Sequence, residues 1–160
     1  MTTSKKEQIL QKIEDIIKSI VAGTSPDTIP AHVYSNTVAY VDRQYQDVSM
    51  EDIESKPKPW VILNNEGEQF GALPSRNFEN KIYVQIIGIV EANESNKNLD
   101  SLMNSLQKDI MLAILNDVSL SGLASYVLPI DIQVVNEMIW PFGAFSFNLE
   151  VIYCFQGLNF

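Results

Sequence analysis

The sequence from Lys81 to Glu91 reads KIYVQIIGIVE, and this stretch decides the fold. Side chains of a β-strand point alternately to the two faces of its sheet. One face of this segment receives Ile82, Val84, Ile86 and Val90, and the other receives Tyr83, Gln85, Ile87, Ile89 and Glu91. Because both faces are partly apolar, the segment is predicted to be a central strand of a sheet.

Two segments on either side of this strand carry apolar residues at helical spacing. The first runs from about Lys5 to Ala22, where Ser4 followed by Glu7 predicts a capping box and Gly23 a stop. Its apolar stripe consists of Ile9, Leu10, Ile13, Ile16, Ile17, Ile20 and Val21. The second segment runs from Leu99 to Leu115 with the same spacing. Both are predicted to be amphipathic helices.

Further strands are predicted from alternation and from residues of high β-propensity. The candidates are Val33 to Asp42, Trp60 to Leu63, Tyr126 to Ile139 and Phe145 to Phe155. The stretch Asn64 to Gly67 has the composition of a tight reversal. In the last strand the odd-numbered residues Phe145 to Phe155 are predicted to face the core, and Cys154 is expected to be a small buried hydrophobe.

The stretch from 43 to 59 is predicted to be a long mobile loop. It is polar, and it ends in Lys56-Pro57-Lys58-Pro59, a sequence that cannot occupy a central strand. Loops of this length are often functional. Its carboxylates, Asp47, Glu51, Asp52 and Glu54, could in principle bind a hard cation, although a solvated loop is the commoner explanation of such a run.

The order of helix, strands, helix and strands predicts an α+β fold: a mainly antiparallel sheet with two helices packed on one face. With 160 residues, the chain is predicted to form a single domain over 1–160, with one core. No internal repeat indicates a second domain.

Composition and charge narrow the function. The net charge of −9 disfavours tight binding to a phosphate backbone, although an acidic wall lets a duplex pass. A single cysteine excludes an internal disulfide and a Cys-based zinc site. The N-terminus lacks the apolar region of a signal peptide, and no segment is apolar over membrane-spanning length. The chain is expected to be soluble and cytosolic, with no membrane association.

Motifs for catalysis are missing from the sequence. His32 is the single histidine, the glycines are scattered without forming a phosphate cradle, and no Gly-x-Ser-x-Gly elbow occurs. The acidic residues between Asp47 and Glu54 lack the ligand spacing of a calcium loop. We therefore expect neither an enzyme nor a bound cofactor or metal.

The segment Trp140-Pro141-Phe142-Gly143 is the most apolar turn in the chain. Trp140 and Phe142 are candidates for an exposed interface wedge, since aromatic residues are enriched at the centres of contacts. A bent strand corner folded onto the core is an equally good explanation.

The order of elements resembles that of the tail terminator proteins of long-tailed bacteriophages. The resemblance covers nearly the whole chain and rests on four segments: Glu7 to Val21, Phe78 to Val90, Leu99 to Leu115 and Gly143 to Tyr153. It is a likeness of element order and sequence character and includes no signature motif. Such proteins cap the tail tube as a hexameric ring, so the resemblance implies a structural role without catalytic residues.

The partners implied by this resemblance are further copies of the chain in a homo-hexameric ring, the tail tube protein and a head–tail connector or neck protein. Genome DNA would pass through the lumen without specific binding, and the resemblance makes Asp47, Glu51, Asp52 and Glu54 the candidates for a lumen or interface loop. The protein would reside in the virion after assembly in the host cytoplasm. Two alternatives stay open: another neck or head-completion protein, and a small-molecule-binding α+β domain, which would need a formed pocket with convergent, perturbed carboxylates.

Overall fold

A computed structural model of the chain describes residues 3–43, 48–72, 77–135 and 138–156. The helices are α1 (Lys5–Lys18), α2 (Met50–Ser55) and α3 (Leu99–Leu115). The strands are β1 (Tyr40–Arg43), β2 (Trp60–Ala72), β3 (Asn77–Glu91), β4 (Tyr126–Val135) and β5 (Phe142–Gln156). No helix within these ranges is long and apolar enough to cross a membrane.

The five strands form one sheet in the order β1-β2-β3-β5-β4. β1 lies parallel to β2, and the other three pairs are antiparallel. The fold is therefore α+β with a mainly antiparallel sheet, as predicted. β3 is the middle strand, and both of its faces are covered: its even-numbered residues Ile82 to Val90 face the core with α1 and α3, whereas Ile89 packs in a cluster with Ile53 of α2. This accounts for its apolar residues on both faces.

Helices α1 and α3 pack together on one face of the sheet, called here the helix face. The main core lies between them and the strands, and it includes Ile9, Ile13 and Ile17 of α1, Leu106, Ile110 and Ile114 of α3, and Ile82, Val84, Phe145, Phe147, Leu149 and Val151 of the sheet. The prediction of two helices on one face is confirmed for this pair. Odd-numbered residues of β5 face this core, as predicted.

The opposite face, called here the open face, is covered at one end by α2. Ile53 of α2 packs there with Trp60, Ile62, Ile89, Phe142 and Ala144 in a second apolar cluster. The prediction of one continuous loop over 43–59 is therefore wrong, because residues 50–55 are helical. Helical periodicity could not reveal this six-residue helix, whose one buried residue is Ile53.

Three further details differ from the sequence predictions. Strand β1 begins at Tyr40, so most of the segment predicted from Val33 is not strand. Asn64 to Gly67 is not a reversal: β2 continues through it with a bulge between Asn65 and Gly67, where the chain needs a φ of +151° at Gly67. Cys154 is exposed because it points to the open face, away from α1 and α3.

Helix α1 starts as predicted but is stabilised differently. The Ser4 hydroxyl accepts a hydrogen bond from the Glu7 N–H at 3.1 Å. The Glu7 carboxylate pairs with Arg43 of β1, at 2.6 and 3.0 Å, and so ties the helix to the edge of the sheet. The helix ends at Lys18, four residues before the predicted end at Ala22.

Candidate assembly surface

The four acidic residues singled out from the sequence do not share one role in the structure. Asp47 lies outside the described residues. The other three lie on α2, where the Asp52 carboxylate accepts hydrogen bonds from the N–H and hydroxyl of Ser49 and so forms a capping box. Glu51 and Glu54 are exposed. The structure therefore leaves Glu51 and Glu54 facing outward, whereas Asp52 stabilises the start of the helix.

The two aromatic candidates, Trp140 and Phe142, differ in exposure. Trp140 is 59% exposed and lies at the end of the sheet where β5 begins. Phe142 is only 7% exposed and belongs to the cluster under α2, with the Lys58 ammonium 4.8 Å from its ring centroid. Ile139 next to Trp140 is exposed as well. Ile139 and Trp140 therefore fit an exposed interface wedge, whereas Phe142 fits a strand corner folded onto the core.

A second apolar surface was not singled out from the sequence. Strand β4 forms one outer edge of the sheet, and it exposes four large apolar side chains by 42 to 53%: Tyr126, Leu128, Ile132 and Val134. We call these four residues the edge strip. Tyr126 and Leu128 lie on the open face, opposite Ile152 and Glu150 of β5, whereas Ile132 and Val134 lie on the helix face beside the core.

The edge strip is unusual because β4 carries a single charge, Asp131, in ten residues. Edge strands of monomeric proteins are commonly protected by lysines or by short length. On the helix face Ile132 and Val134 are adjacent, and contiguous exposed apolar surface commonly marks a contact with another protein. The sequence signal was the alternation in Tyr126 to Val135, but alternation cannot show that β4 is an outermost strand of the sheet.

A third apolar surface lies at the opposite end of the sheet from Trp140. There the end of β2, the start of β3 and the end of β5 bring three phenylalanines together on the helix face beyond α1. The Phe78 and Phe155 rings stack with centroids 5.3 Å apart, and Phe70 meets Phe155 edge-on at 6.4 Å. Phe70 is more than half exposed. Both ends of the strands therefore present aromatic surface.

Two hollows are lined by described residues. A groove of about 520 Å³ runs along the solvent side of α1 and is lined mainly by polar side chains, including Gln8, Gln11 and Lys12. A smaller hollow of about 220 Å³ lies beside Gln69, Glu79 and Lys81. Across the described ranges, no three His, Cys, Asp or Glu side chains are grouped so as to hold a metal ion.

Two carboxylates have shifted pKa values, and contacts within the fold explain both shifts. Hydrogen bonds from the Arg43 guanidinium lower the pKa of Glu7, against the opposing effect of burial. Burial raises the pKa of Asp117, but hydrogen bonds from Ser121 and Ser119 outweigh it, so that the pKa is lowered overall. Both carboxylates hold neighbouring chain segments in place and do not converge on a common cavity. Neither protein-family models nor curated proteins give a match to this chain.

Proposed function

We propose that this protein is a structural subunit of a ring, the tail terminator of a long-tailed bacteriophage. The observation that carries the proposal is the edge strip, above all Ile132 and Val134, because large apolar side chains at the outer edge of a sheet are stabilised when a neighbouring subunit removes them from water. Self-association is the defining property of a ring subunit. The resemblance in element order then favours the tail terminators among ring-forming proteins.

The aromatic ends of the sheet fit the same proposal. A ring subunit with a tube below and a connector above needs contact surfaces on two opposite ends. Here one end exposes Ile139 and Trp140, and the other exposes Phe70. The net charge of −9 is compatible with a lumen through which DNA slides. Glu51 and Glu54 are the carboxylates that we propose for such a wall.

The absolute mass of the purified protein over a concentration series, with negative-stain images of the large species, tests the ring. We expect six-fold rings with a central hole, in amounts that rise with protein concentration. A chain that stays monomeric at every concentration and does not bind purified tail tubes would contradict the proposal.

Binding to tail tubes separates the terminator from another neck protein of the virion. We expect the protein to co-sediment with purified tubes, and Trp140→Ala or Phe70→Ala to reduce that binding, depending on which end faces the tube. Gln11→Ala, on the solvent side of α1, is the control and should bind as the unaltered protein does. Binding to the connector alone, with no affinity for tubes, would assign the chain to the neck instead.

A further inference from the structure

The pairing register places the two outer edges of the sheet at the same height. One row of paired residues crosses the sheet from edge to edge: Tyr40, Trp60, Ile89, Ala144 and Val135. Three positions further along, another row crosses it: Arg43, Leu63, Ile86, Phe147 and Ile132. The four residues of β1 therefore stand level with Ile132–Val135, the last four residues of β4.

The directions of the two edge strands also match. β1 runs parallel to β2, and three successive antiparallel pairings lead from β2 through β3 and β5 to β4. β4 is therefore antiparallel to β1. A second copy related by rotation about an axis along the strands keeps its strand directions, and its β1 then meets β4 of the first copy in antiparallel orientation.

The two rows named above and the two rows between them would each continue into the next copy. The side chains that would meet in these four rows suit such a pairing. On the helix face, Val134 would lie opposite Val41 of the next copy, and the aliphatic part of Arg43 would lie opposite Ile132. On the open face, Val135 would lie opposite Tyr40, and Gln133 opposite Asp42. Pairs between β-branched and aromatic side chains stabilise neighbouring strands, and like charges directly opposite destabilise them. None of the four rows contains two like charges.

The rest of β4 is protected against pairing, which limits the contact to these four residues. Pro129 has no N–H to donate, and it is tolerated on edge strands for that reason. At Asp131 the chain has a φ of +44° and the register with β5 shifts between Ile130 and Ile132. A proline and a bulge are devices that prevent unlimited addition of strands. The uninterrupted segment after them equals β1 in length.

We propose that residues Ile132–Val135 of one copy pair antiparallel with Tyr40–Arg43 of a second copy, so that the sheet continues from subunit to subunit. This inference rests on the proposed ring function and names the contact that builds the ring. The two surfaces differ, so the contact is head-to-tail. Such a contact closes into a ring when the rotation between neighbouring copies is a whole fraction of a full turn.

Two matched substitutions in the edge strip test the contact. Val134→Lys places a charge inside the proposed pairing, whereas Leu128→Lys places one on the same strand beyond the bulge, at similar exposure (53 and 48%). We expect Val134→Lys to abolish oligomers in light scattering and Leu128→Lys to retain them. Circular dichroism melting of both variants checks that each is folded. Oligomers that survive Val134→Lys would overturn the proposal.

A cysteine pair traps the contact directly. In a Cys154→Ser background, Tyr40→Cys and Val135→Cys lie in one row, where directly opposite Cβ atoms are about 4.5–5.5 Å apart. A small approach of the two strands brings them to the Cβ separation of about 3.5–4.5 Å that a disulfide spans. Upon oxidation we expect a ladder of covalent oligomers from the double variant and none from either single variant. Abundant dimers from Val135→Cys alone would instead indicate two-fold pairing of β4 with β4 and overturn the proposal.

The outcomes separate this contact from the proposed function. Rings without a ladder, unaffected by Val134→Lys, would refute the edge contact and leave the ring function standing. A ladder of covalent oligomers from a protein that does not bind tail tubes would support the contact and refute the terminator function. A monomer at all concentrations, with no ladder, would overturn both.

Discussion

Asp109 of α3 is a fully buried carboxylate. It binds the backbone at Ser35 and Asn36, in the segment between α1 and β1. It accepts hydrogen bonds from the Ser35 N–H at 3.0 Å, and from the Asn36 N–H and Nδ2 at 2.7 and 2.8 Å. This segment leads into β1, one of the two edges in the proposed contact. The sequence offered no sign of this role, because the partners are more than 70 positions away.

Replacement of Asp109 by Ala should lower the free energy of unfolding by about 2–3 kcal/mol, because hydrogen bonds to a charged group are lost and their donors are left unpaired. Urea unfolding measures the difference. Asn104→Ala changes an exposed residue of the same helix and should stay within about 0.5 kcal/mol of the unaltered protein. Equal urea midpoints for the two variants would show that the hydrogen bonds from Ser35 and Asn36 to Asp109 do not stabilise the fold.

Gly88 of β3 leaves room for a neighbouring ring. A Cβ at this position would lie 2.5 Å from Cζ of Phe145 and 3.2 Å from Cδ2 of Leu106. Gly88→Ala should therefore destabilise the protein by about 1–3 kcal/mol through overpacking. Gly71→Ala in β2 is the matched control, because its Cβ would meet nothing closer than the Glu79 carbonyl at 3.8 Å. Thermal or urea unfolding of the pair tests this, and a Gly88→Ala protein as stable as the control would contradict it.

At the scale of elements, the ion pair between Glu7 and Arg43 fastens α1 to β1. The hydrogen bonds from Arg43 hold the pKa of Glu7 below its ordinary value of 4.5. A carboxylate whose pKa is depressed in the folded state stabilises the fold above its unfolded pKa, and this contribution is lost as the pH falls through the folded pKa. The pair should therefore weaken in acid below about pH 4.5.

Glu7→Gln should flatten the loss of stability on acidification, because the variant has no proton to take up at this position. Urea midpoints between about pH 6 and pH 3 measure the slope. Arg43→Gln removes the partner and should give a similarly flattened slope, with the double variant adding little more. A Glu7→Gln slope as steep as that of the unaltered protein would show that other carboxylates dominate the acid response.

The long elements were predictable because each carries its own periodic signal. α1, α3, β3 and β5 contain enough turns or alternations to show which side is buried. α2 and β1 contain six and four residues and carry no such signal. The bulge at Gly67 was mistaken for a reversal because Asn, Glu and Gly suit both structures, and only pairing with β3 distinguishes them.

At the scale of the whole molecule, two forces oppose each other in the proposed assembly. Copies with a charge of −9 repel one another, whereas the apolar edge strip favours contact. An increase in ionic strength from about 0.01 M to about 1 M shortens the Debye length from about 30 Å to about 3 Å and suppresses the repulsion. Assembly should therefore strengthen with salt.

Sedimentation velocity at these two ionic strengths tests the expectation, with a larger oligomer fraction at high salt as the predicted result. The Val134→Lys variant is the control and should stay monomeric at both. Dissociation at high salt would contradict the prediction, since it would indicate that ion pairs hold the copies together and not the edge strip.

The sequence by itself determined the fold class, the central place of β3, the two helices on one face and the acidic character, because local periodicity and composition depend on nearby residues alone. It also suggested Trp140 as an outward aromatic. Only the tertiary structure decided that Phe142 and Ile53 share a cluster, that Cys154 is exposed and that β4 and β1 are the two outer strands of the sheet formed by the described residues. Strand order and register arise from pairings between distant segments, and no local pattern records which strand is left without a neighbour.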